Sequence, residues 1–382
     1  MVYDLIACPL CLSQNTESVY YVENMFFTDG RTSMNLEVSL CDECGFVFQS
    51  SAYSDEYDKK VASIYSNYRM SDNFSFPRQD KKTLESLEFI CSNIQLDGGS
   101  NILEIGSDRG DFLYLLKQRV GANVIGMEPS TEQVAMIPTV RGYFDQNSFC
   151  SKFDLIVLKH TLEHIKYPQK ILQNAIESLN DEGYLYIEVP SLDICMEHYL
   201  DDFSLDHVSY FSKHVLLNLL NEYEVVAIDN SHFLRIIVKK MRISSALKHI
   251  KVENEKTRIF FKEFEARFVA LEDKIIHHTT EGGIAVFYGV GLYFRIIFAR
   301  LNGSVGRENC YFYDDGYVGE YEDSFGLKKI NMQFIANQKV IAIWCSNDYA
   351  VQDAMAERFN SVTKEYEPIY FCRTNLTTMD GD

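Results

Sequence analysis

Four cysteines near the N-terminus form two closely spaced pairs that could hold a metal ion. Cys8 and Cys11 are separated by two residues, as are Cys41 and Cys44, and Gly45 follows the second pair. A thiolate is a good zinc ligand, and a C-x-x-C turn lets both sulfurs face one metal. Four thiolates would leave no open coordination position, so the pattern predicts a structural Zn2+ site. Ordinary buried thiols or a redox pair are the alternatives.

A glycine-rich turn at residues 104–110 has the features of a cofactor-binding loop. Its sequence is EIGSDRG, and it joins a strand-like segment to a helix-like one. Glycine lets the backbone approach a ligand closely. The nearby carboxylates of Asp108 and Asp111 disfavour a pyrophosphate, but they suit an ammonium group such as that on the methionyl part of S-adenosylmethionine (SAM). The residues predicted to bind this cofactor are Glu104, Gly106, Ser107 and Gly110.

Two further strand ends are expected to lie beside the same ligand. Glu128 ends the next strand and is followed by Pro129; an acidic residue at this distance can accept hydrogen bonds from ribose hydroxyls. A later strand, FDLIVLKH, ends at Lys159 and His160. We therefore predict that residues 159–163 line the SAM pocket, and that His164 has a structural role.

The elements that must position these residues alternate between strand and helix. Segments such as NILEIG, NVIGMEP and YLYIEV indicate strands, whereas DFLYLLKQRV and QKILQNAIESLN indicate helices. The alternation restarts after Gly282, behind a predicted connecting helix over 256–276. The first alternation predicts a parallel sheet covered on both faces, and its restart predicts a second, smaller α/β unit, so the fold class is α/β. The predicted domains are a small zinc-binding domain at 1–75, a central Rossmann-like SAM domain at 76–240, and a linker helix with a smaller Rossmann-like α/β domain at 241–382.

The composition fits an acidic globular protein. The 382 residues include 55 acidic and 36 basic side chains, which gives a net charge of −19. Nucleic-acid binding depends on clustered lysine and arginine, so we expect no nucleic-acid partner; a local basic pocket would still accept a small anionic substrate. The sequence contains no apolar run of roughly 18 residues, the length of a membrane helix. A secretory signal is also absent, so we expect a cytoplasmic protein with no membrane partner.

With these features the sequence resembles SAM-dependent methyltransferases. It resembles in particular the sugar C-methyltransferases that act on nucleotide-linked keto-deoxysugars. Residues 104–110 look like the EIGSNDG segment of that group, and residues 41–47, CDECGFV, look like its CxxCG segment. The resemblance covers essentially the whole chain. It implies a zinc-binding N-terminal segment, a central methyltransferase domain and a C-terminal domain that is similar to nucleotide-binding domains.

The same group carries a Y-H-E-H-x-S-Y-F signature, and residues 204–211 of this chain read SLDHVSYF. The second histidine and the S-Y-F are kept, whereas Ser204 and Leu205 replace the tyrosine and the first histidine. The resemblance implies that His207 is the base that removes a proton next to the sugar carbonyl, which an imidazole can do near neutral pH. Asp206 could orient His207 or bind substrate. Tyr210, in the same signature, is the third predicted catalytic residue.

Further residues are implied as substrate contacts. Tyr288 and Gly289 end the first strand of the C-terminal unit, and Asp314 follows its second strand; in the resembling group the equivalent regions help to hold the nucleotide. Tyr65 and Tyr68 are expected to reach over the substrate, because the group has tyrosine-rich N-terminal segments. The alternative for the C-terminal unit is a packing domain that only closes the cleft.

Three rival functions stay open at this stage. The first is O- or N-methylation of another sugar or small metabolite, which the changes at Ser204 and Leu205 favour. The second is a non-catalytic scaffold that kept the fold and the zinc site, and the intact Glu104, Gly106 and Glu128 speak against it. The third is a nucleic-acid-binding zinc ribbon, which the net charge disfavours.

Overall fold

A computed structural model of the protein describes residues 6–27, 31–67, 81–130, 135–145, 147–198, 203–242, 254–289, 291–301, 307–314, 326–345, 349–363 and 366–370. The strands in this part of the chain are β1 Thr16–Phe26, β2 Ser33–Cys41, β3 Val47–Gln49, β4 Asn101–Ile105, β5 Asn123–Glu128, β6 Thr139–Arg141, β7 Phe153–Lys159, β8 Leu179–Pro190, β9 Ser209–Tyr210, β10 Tyr223–Asn230, β11 Phe233–Arg242, β12 Ile284–Tyr288, β13 Cys310–Tyr313, β14 Lys328–Lys329, β15 Val340–Trp344 and β16 Tyr366–Tyr370. The α-helices are α1 Asp55–Asn67, α2 Lys81–Asn93, α3 Asp111–Val120, α4 Pro168–Glu177, α5 Leu192–His198, α6 Lys213–Leu219, α7 Asn254–Thr280, α8 Leu292–Leu301 and α9 Tyr349–Asn360.

The central sheet has the strand order β10-β11-β8-β7-β4-β5-β6. Strands β4 to β8 run parallel, and β11 and β10 add an antiparallel edge. Alternate side chains of β7 face opposite sides, as a strand requires: Leu155 and Val157 pack with residues of α2 and α3, whereas Ile156 and Leu158 pack with residues of α4 and α6. The predicted α/β sheet with two covered faces is therefore confirmed.

The C-terminal sheet is a second parallel α/β layer. Its strand order is β14-β13-β12-β15-β16, and each neighbouring pair is parallel. Strand β12, the first of this sheet in the sequence, thus has β13 on one side and β15 on the other. Such a reversal of strand order leaves a crevice at the carboxyl ends of the two strands that flank it. The central sheet has the same arrangement around β4.

The N-terminal sheet is antiparallel and takes a strand from far along the chain. Its order is β1-β2-β3-β9, so residues 209–210 pair with β3. The N-terminal sheet therefore contains three strands from the predicted domain 1–75 and one strand, β9, from the predicted domain 76–240. The pairing brings the 204–211 signature beside the cysteine-bearing segment.

Helix α7 joins the N-terminal and C-terminal sheets. The predicted connecting helix over 256–276 is confirmed, and α7 extends it by a few residues at each end. Four phenylalanines at helical spacing, Phe260, Phe261, Phe264 and Phe268, are buried in a core that also includes Tyr20 of β1. Each buries a large apolar surface, so α7 fixes the two sheets relative to each other. In the described part of the chain, no helix is both long enough and apolar enough to cross a lipid bilayer.

Candidate active site

The glycine turn lies at the carboxyl end of β4, where the strand order of the central sheet reverses. Gly106 and Gly110 have φ angles of 74° and 83°, in the left-handed region. A Cβ atom would lie 2.5 Å from Thr161 Oγ1 at Gly106, and 2.2 Å from Ile137 Cγ1 at Gly110. Both glycines are therefore required by backbone conformation and by close packing. Ligands of open α/β sheets bind in this crevice, which is where the sequence predicts SAM.

Glu128 is held at the end of β5 by two backbone N–H groups. Asp108 N–H donates to Oε2 over 3.0 Å, and Ser130 N–H donates to Oε1 over 2.9 Å. The Glu128 side chain and the adjacent Pro129 are partly exposed. Each carboxylate oxygen has further acceptor capacity, so Glu128 could receive the two ribose hydroxyls of SAM while staying fixed.

Replacing Glu128 with glutamine is expected to weaken S-adenosylhomocysteine binding by about 10- to 100-fold, because hydrogen bonds to a charged group contribute about 1.5–3 kcal/mol. Titration calorimetry would measure the dissociation constant. Glu88→Gln is the matched control, since this carboxylate is largely exposed on α2. Equal affinities for Glu128→Gln and wild type would contradict the ribose assignment.

Glu104 is a buried carboxyl group beside the glycine turn. It is 3% exposed, and its Oε2 atom has no hydrogen-bond partner among the described residues. Burial raises the pKa of Glu104 to about 8, although the nearby Lys159 acts in the opposite direction. The neighbouring Ser107 is 4% exposed, and its hydroxyl also lacks a partner in the described part of the chain. These polar atoms could be satisfied by a bound cofactor.

S-adenosylhomocysteine affinity is expected to rise with pH because of Glu104. A cationic amino group binds the ionised carboxylate more tightly, so below pH 8 binding must release a proton. Affinity should increase by up to about tenfold per pH unit towards pH 8 and level off above it. Calorimetry between pH 6 and 9 would measure this slope. In Glu104→Gln this pH dependence of the affinity should disappear. If the affinity of that variant rose with pH as steeply as in wild type, Glu104 would be excluded as the source of the pH dependence.

Lys159 and His160, at the end of β7, are tied to a buried carboxylate of β8. Glu188 is 0% exposed; its Oε1 atom lies 3.4 Å from Lys159 Nζ and 3.1 Å from His160 Nε2. Its Oε2 atom accepts from Arg235 Nε over 2.9 Å and from Ser86 Oγ over 2.6 Å. Burial acts to raise the pKa of Glu188, but the hydrogen bond from His160 and the positive charges of Lys159 and His160 outweigh burial and hold the pKa well below its usual range.

His160 has a strained backbone and a raised pKa. Its φ is 48°, a conformation uncommon for a residue other than glycine. Burial acts to lower its pKa, but the carboxylates of Glu163 and Glu188 outweigh burial and raise it to about 9. His160 therefore carries a positive charge near neutral pH, next to the crevice. Its predicted contact with SAM, like that of Lys159, stays a prediction.

The signature histidine His207 lies next to His164 and Glu163. The two imidazole rings are 4.9 Å apart, and ligand atoms of Glu163, His164 and His207 all lie within 4.8 Å of one another. The backbone N–H of Val208 donates to Glu163 O over 2.8 Å, which joins the two segments. We call these three side chains the Glu–His–His cluster. It places a proton acceptor and a carboxylate close to the strand ends that form the crevice.

The remaining predicted catalytic residues have different surroundings. Tyr210 is buried in the core that the N-terminal sheet shares with α7, and its hydroxyl donates to Ser204 O over 3.4 Å. Asp206 is partly exposed, and its backbone carbonyl contacts the imidazole of His164. Tyr65 belongs to α1, but the placement of its side chain lies outside what the structure describes, as does Tyr68 altogether.

The predicted nucleotide contacts lie at the carboxyl edge of the C-terminal sheet. Gly289 directly follows β12 with a φ of 87°, and a Cβ there would lie 3.4 Å from Cys345 O, at the end of β15. The Tyr288 ring is buried and stands 4.8 Å from the ring of Tyr313. Asp314 comes next after β13 and is partly exposed. Gly289 thus lies where the strand order of this sheet reverses, and Tyr288 belongs to the core beneath it.

The two cysteine pairs converge on one point. Sγ of Cys8 lies 3.6 Å from Sγ of Cys44, and Sγ of Cys11 lies 3.5 Å from Sγ of Cys41; one tetrahedral Zn2+ with bonds of about 2.3 Å would separate its sulfurs by about 3.8 Å. Gly45 has a φ of 70°, as its predicted tight turn requires. Hydrogen bonding from the Cys44 and Cys8 thiols lowers the pKa of Cys41. The donor set and its geometry fit the predicted Zn2+.

Sequence reasoning missed three residues at this site. Glu188 lies in a strand whose apolar pattern gives no sign of its polar partners Ser86, Lys159, His160 and Arg235. Glu163 was included only as part of a pocket-lining stretch, and His164 was expected to be structural. Glu163 and His164 are more than 40 positions from His207 in the sequence, and the two segments meet only through tertiary hydrogen bonds such as Val208 N–H to Glu163 O. The sequence HTLEH at residues 160–164, which carries two histidines and a glutamate on a short stretch, is the local feature that points to this cluster.

Comparison with known proteins agrees with the central part of this description. A family model described as a methyltransferase domain matches residues 76–227. No curated protein matches the sequence.

Several solved structures are similar over part of the chain. They include a geranyl diphosphate C-methyltransferase from Streptomyces coelicolor, with 10% identity, coverage of 49% of this chain and 99% of that one, and a TM-score of 0.36. A 1,6-didemethyltoxoflavin-N1-methyltransferase from Burkholderia thailandensis has 14% identity, coverage of 54% and 96%, and a TM-score of 0.37. A SAM-dependent methyltransferase from Archaeoglobus fulgidus has 17% identity, coverage of 41% and 92%, and a TM-score of 0.32. The family-model match assigns residues 76–227 to a methyltransferase domain, and the protein is a methyltransferase.

Proposed function

We propose that the protein transfers a methyl group from SAM to a carbon atom of a nucleotide-linked sugar. The observation that carries this proposal is the presence of two parallel α/β sheets, each with a glycine at the point where its strand order reverses. Gly106 marks that point in the central sheet and Gly289 marks it in the C-terminal sheet. The first crevice suits SAM, and the second suits a nucleotide.

The C-terminal crevice has the electrostatics that a phosphate needs. Helix α8 begins at Leu292, directly after the glycine turn, and the N-terminus of a helix attracts anions. Arg295 belongs to the first turn of α8 and is buried. An anionic handle can therefore bind locally although the whole chain has a net charge of −19.

The methyl transfer itself is an in-line displacement. The acceptor carbon next to a sugar carbonyl loses its proton to His207, and the electron pair left behind forms the bond to the methyl carbon. The methyl–sulfur bond breaks, and its electron pair stays on sulfur to give neutral S-adenosylhomocysteine. The protein mainly supplies alignment and proton removal.

O- or N-methylation is the second candidate, and one feature favours it. Leu205, which stands where the resembling sugar C-methyltransferases have a histidine, is completely buried, and Ser204 is 5% exposed. Leu205 has no polar side-chain atom, and the Ser204 hydroxyl accepts from the backbone N–H of His207 over 3.3 Å, so the imidazole of that signature is not replaced. An acceptor hydroxyl or amine would then lose its proton to His207 in the same position.

A thermal-shift panel tests the substrate class. Nucleoside diphosphates and nucleotide sugars are added in the presence of S-adenosylhomocysteine, and a clear rise of the midpoint with one nucleotide is expected from binding linkage. Stabilisation by S-adenosylhomocysteine alone, with none from any nucleotide, would refute the nucleotide-sugar proposal. For a substrate that is turned over, SAM with a 13C-labelled methyl group shows by the carbon shift of the product whether carbon, oxygen or nitrogen is methylated.

A further inference from the structure

We propose that the Glu–His–His cluster is a binding site for a divalent transition-metal ion, separate from the cysteine cluster. One ligand atom from each of Glu163, His164 and His207 lies within 4.8 Å of the other two. Two imidazoles and one carboxylate are a donor set that Zn2+, Fe2+ and Co2+ favour. Three protein ligands leave coordination positions open, unlike the four thiolates.

The hydrogen bond of His164 prepares its ring for metal binding. Nδ1 of His164 lies 2.6 Å from the backbone oxygen of Asp206. A carbonyl oxygen can only accept, so Nδ1 carries the proton and Nε2 presents a lone pair. Metal-bound histidines typically donate their other N–H to a carbonyl or a carboxylate in this way, which fixes both the tautomer and the ring orientation.

Glu163 supplies a second and independent observation. Its side chain is 2% exposed, and its Oε2 atom has no hydrogen-bond partner among the described residues. The other oxygen, Oε1, lies 3.4 Å from Nδ1 of His160. A buried carboxylate oxygen without a donor is unfavourable, and a cation between Glu163 and the two histidines would offset that cost.

Only side-chain movement is needed to complete the site. Metal–ligand bonds of about 2.0–2.2 Å bring ligand atoms to within about 3–3.5 Å of one another. The backbone is already fixed: Glu163 and His164 lie in one 3-10 turn, Leu162–His164, and the Val208 N–H donates to Glu163 O over 2.8 Å. Rotation of the imidazoles by about 1–2 Å at the ring nitrogens would therefore suffice.

The position of the ion suggests its use. The cluster follows Thr161, which packs against Gly106 of the glycine turn, so an open coordination position would lie near the SAM crevice. A carbonyl or hydroxyl oxygen of the acceptor bound there would be polarised. This use depends on the proposed function, whereas ion binding does not. When the ion is bound, His207 is its ligand, and the free-base role given to His207 above is then excluded.

Cobalt titration of the apo-protein tests the site. Co2+ bound to four thiolates gives intense sulfur-to-metal charge-transfer bands, whereas Co2+ bound to nitrogen and oxygen gives only weak visible bands. We expect two equivalents with both spectral types in wild type. In Glu163→Gln and His164→Gln, the weak bands should disappear and affinity for the second ion should fall by more than about 100-fold, since loss of even an outer-shell partner costs 10- to 100-fold. His232→Ala, an exposed histidine in the turn before β11, should bind as wild type does.

Each outcome decides the proposal. A wild-type protein that binds only the thiolate equivalent, or folded Glu163→Gln and His164→Gln variants that keep both, would overturn it; S-adenosylhomocysteine thermal shifts verify that the variants are folded. If two ions bind but no nucleotide is recognised, the metal site stands and the nucleotide-sugar proposal fails. If methyl transfer to a nucleotide sugar proceeds with the thiolate ion alone, the catalytic use of the second ion is overturned and His207 acts as the free base, while the titration decides ion binding itself.

Discussion

Cys41→Ser is expected to remove one equivalent of zinc and to lower the thermal midpoint by roughly 3–5 °C. Structural zinc contributes about 10–16 kcal/mol in zinc-finger peptides. Only part of that applies here, because strands β1 and β2 also pack into the core with α7. A loss of about 3 kcal/mol converts to that shift in a chain of this size. Metal analysis and calorimetric unfolding would measure the two effects.

Cys150→Ser is the matched control for this prediction. Cys150 is an exposed free cysteine outside the cluster, so its replacement should change neither zinc content nor midpoint. Equal zinc content in Cys41→Ser and wild type would contradict the four-thiolate site. A lost equivalent without any change in midpoint would instead show that the ion does not stabilise the fold.

The effect should reach beyond the N-terminal sheet, because α7 is attached to the cysteine loop. Asn254 donates to Asp42 O over 2.8 Å, and the Arg258 guanidinium contacts the carboxylates of Asp42 and Glu17. Asp42 directly follows Cys41. Loss of the ion would therefore loosen the N-terminal end of the helix that carries the C-terminal unit.

Glu188→Gln is expected to lower the free energy of unfolding by about 3 kcal/mol. The substitution keeps the size of the side chain but leaves Arg235, which is 3% exposed, without its buried carboxylate, and breaking a buried ion pair from one side costs about 3–5 kcal/mol. We expect the lower end of this range because Arg235 keeps a second carboxylate partner: its Nη1 atom lies 2.9 Å from Asp229 Oδ2. Urea denaturation would measure the change in midpoint at constant slope.

Glu182→Gln provides the control on the same strand. The Glu182 side chain is 79% exposed and pairs with Lys239, and exposed pairs contribute about 0–1 kcal/mol. If Glu188→Gln were as stable as Glu182→Gln, the Glu188 network would not hold the strand ends beneath the crevice. A parallel loss of S-adenosylhomocysteine affinity in Glu188→Gln would show that the network also positions Lys159 and His160.

The sequence alone was sufficient for features whose cause is local. The spacing of Cys8, Cys11, Cys41 and Cys44 predicted a four-thiolate cluster because a C-x-x-C turn aims both sulfurs at one point. The alternation of strand and helix predicted the parallel part of the central sheet and a second α/β unit, since these periods are properties of the backbone. Gly106 and Gly110 marked the cofactor turn, because few other residues adopt a positive φ.

Only the tertiary structure decided which distant residues meet. Hydrogen bonds from Val208 N–H to Glu163 O and from Ser209 Oγ to Ile165 O hold His207 beside His164 and Glu163, and no local period encodes a contact between segments more than 40 positions apart. Burial was also decided by the fold: Tyr210 and Tyr288 are core residues whose predicted roles stay predictions, and Glu188 lies buried among cationic partners. Hydrophobic periodicity follows from the conformation of each segment, whereas desolvation and charge pairing depend on the neighbours that the fold supplies.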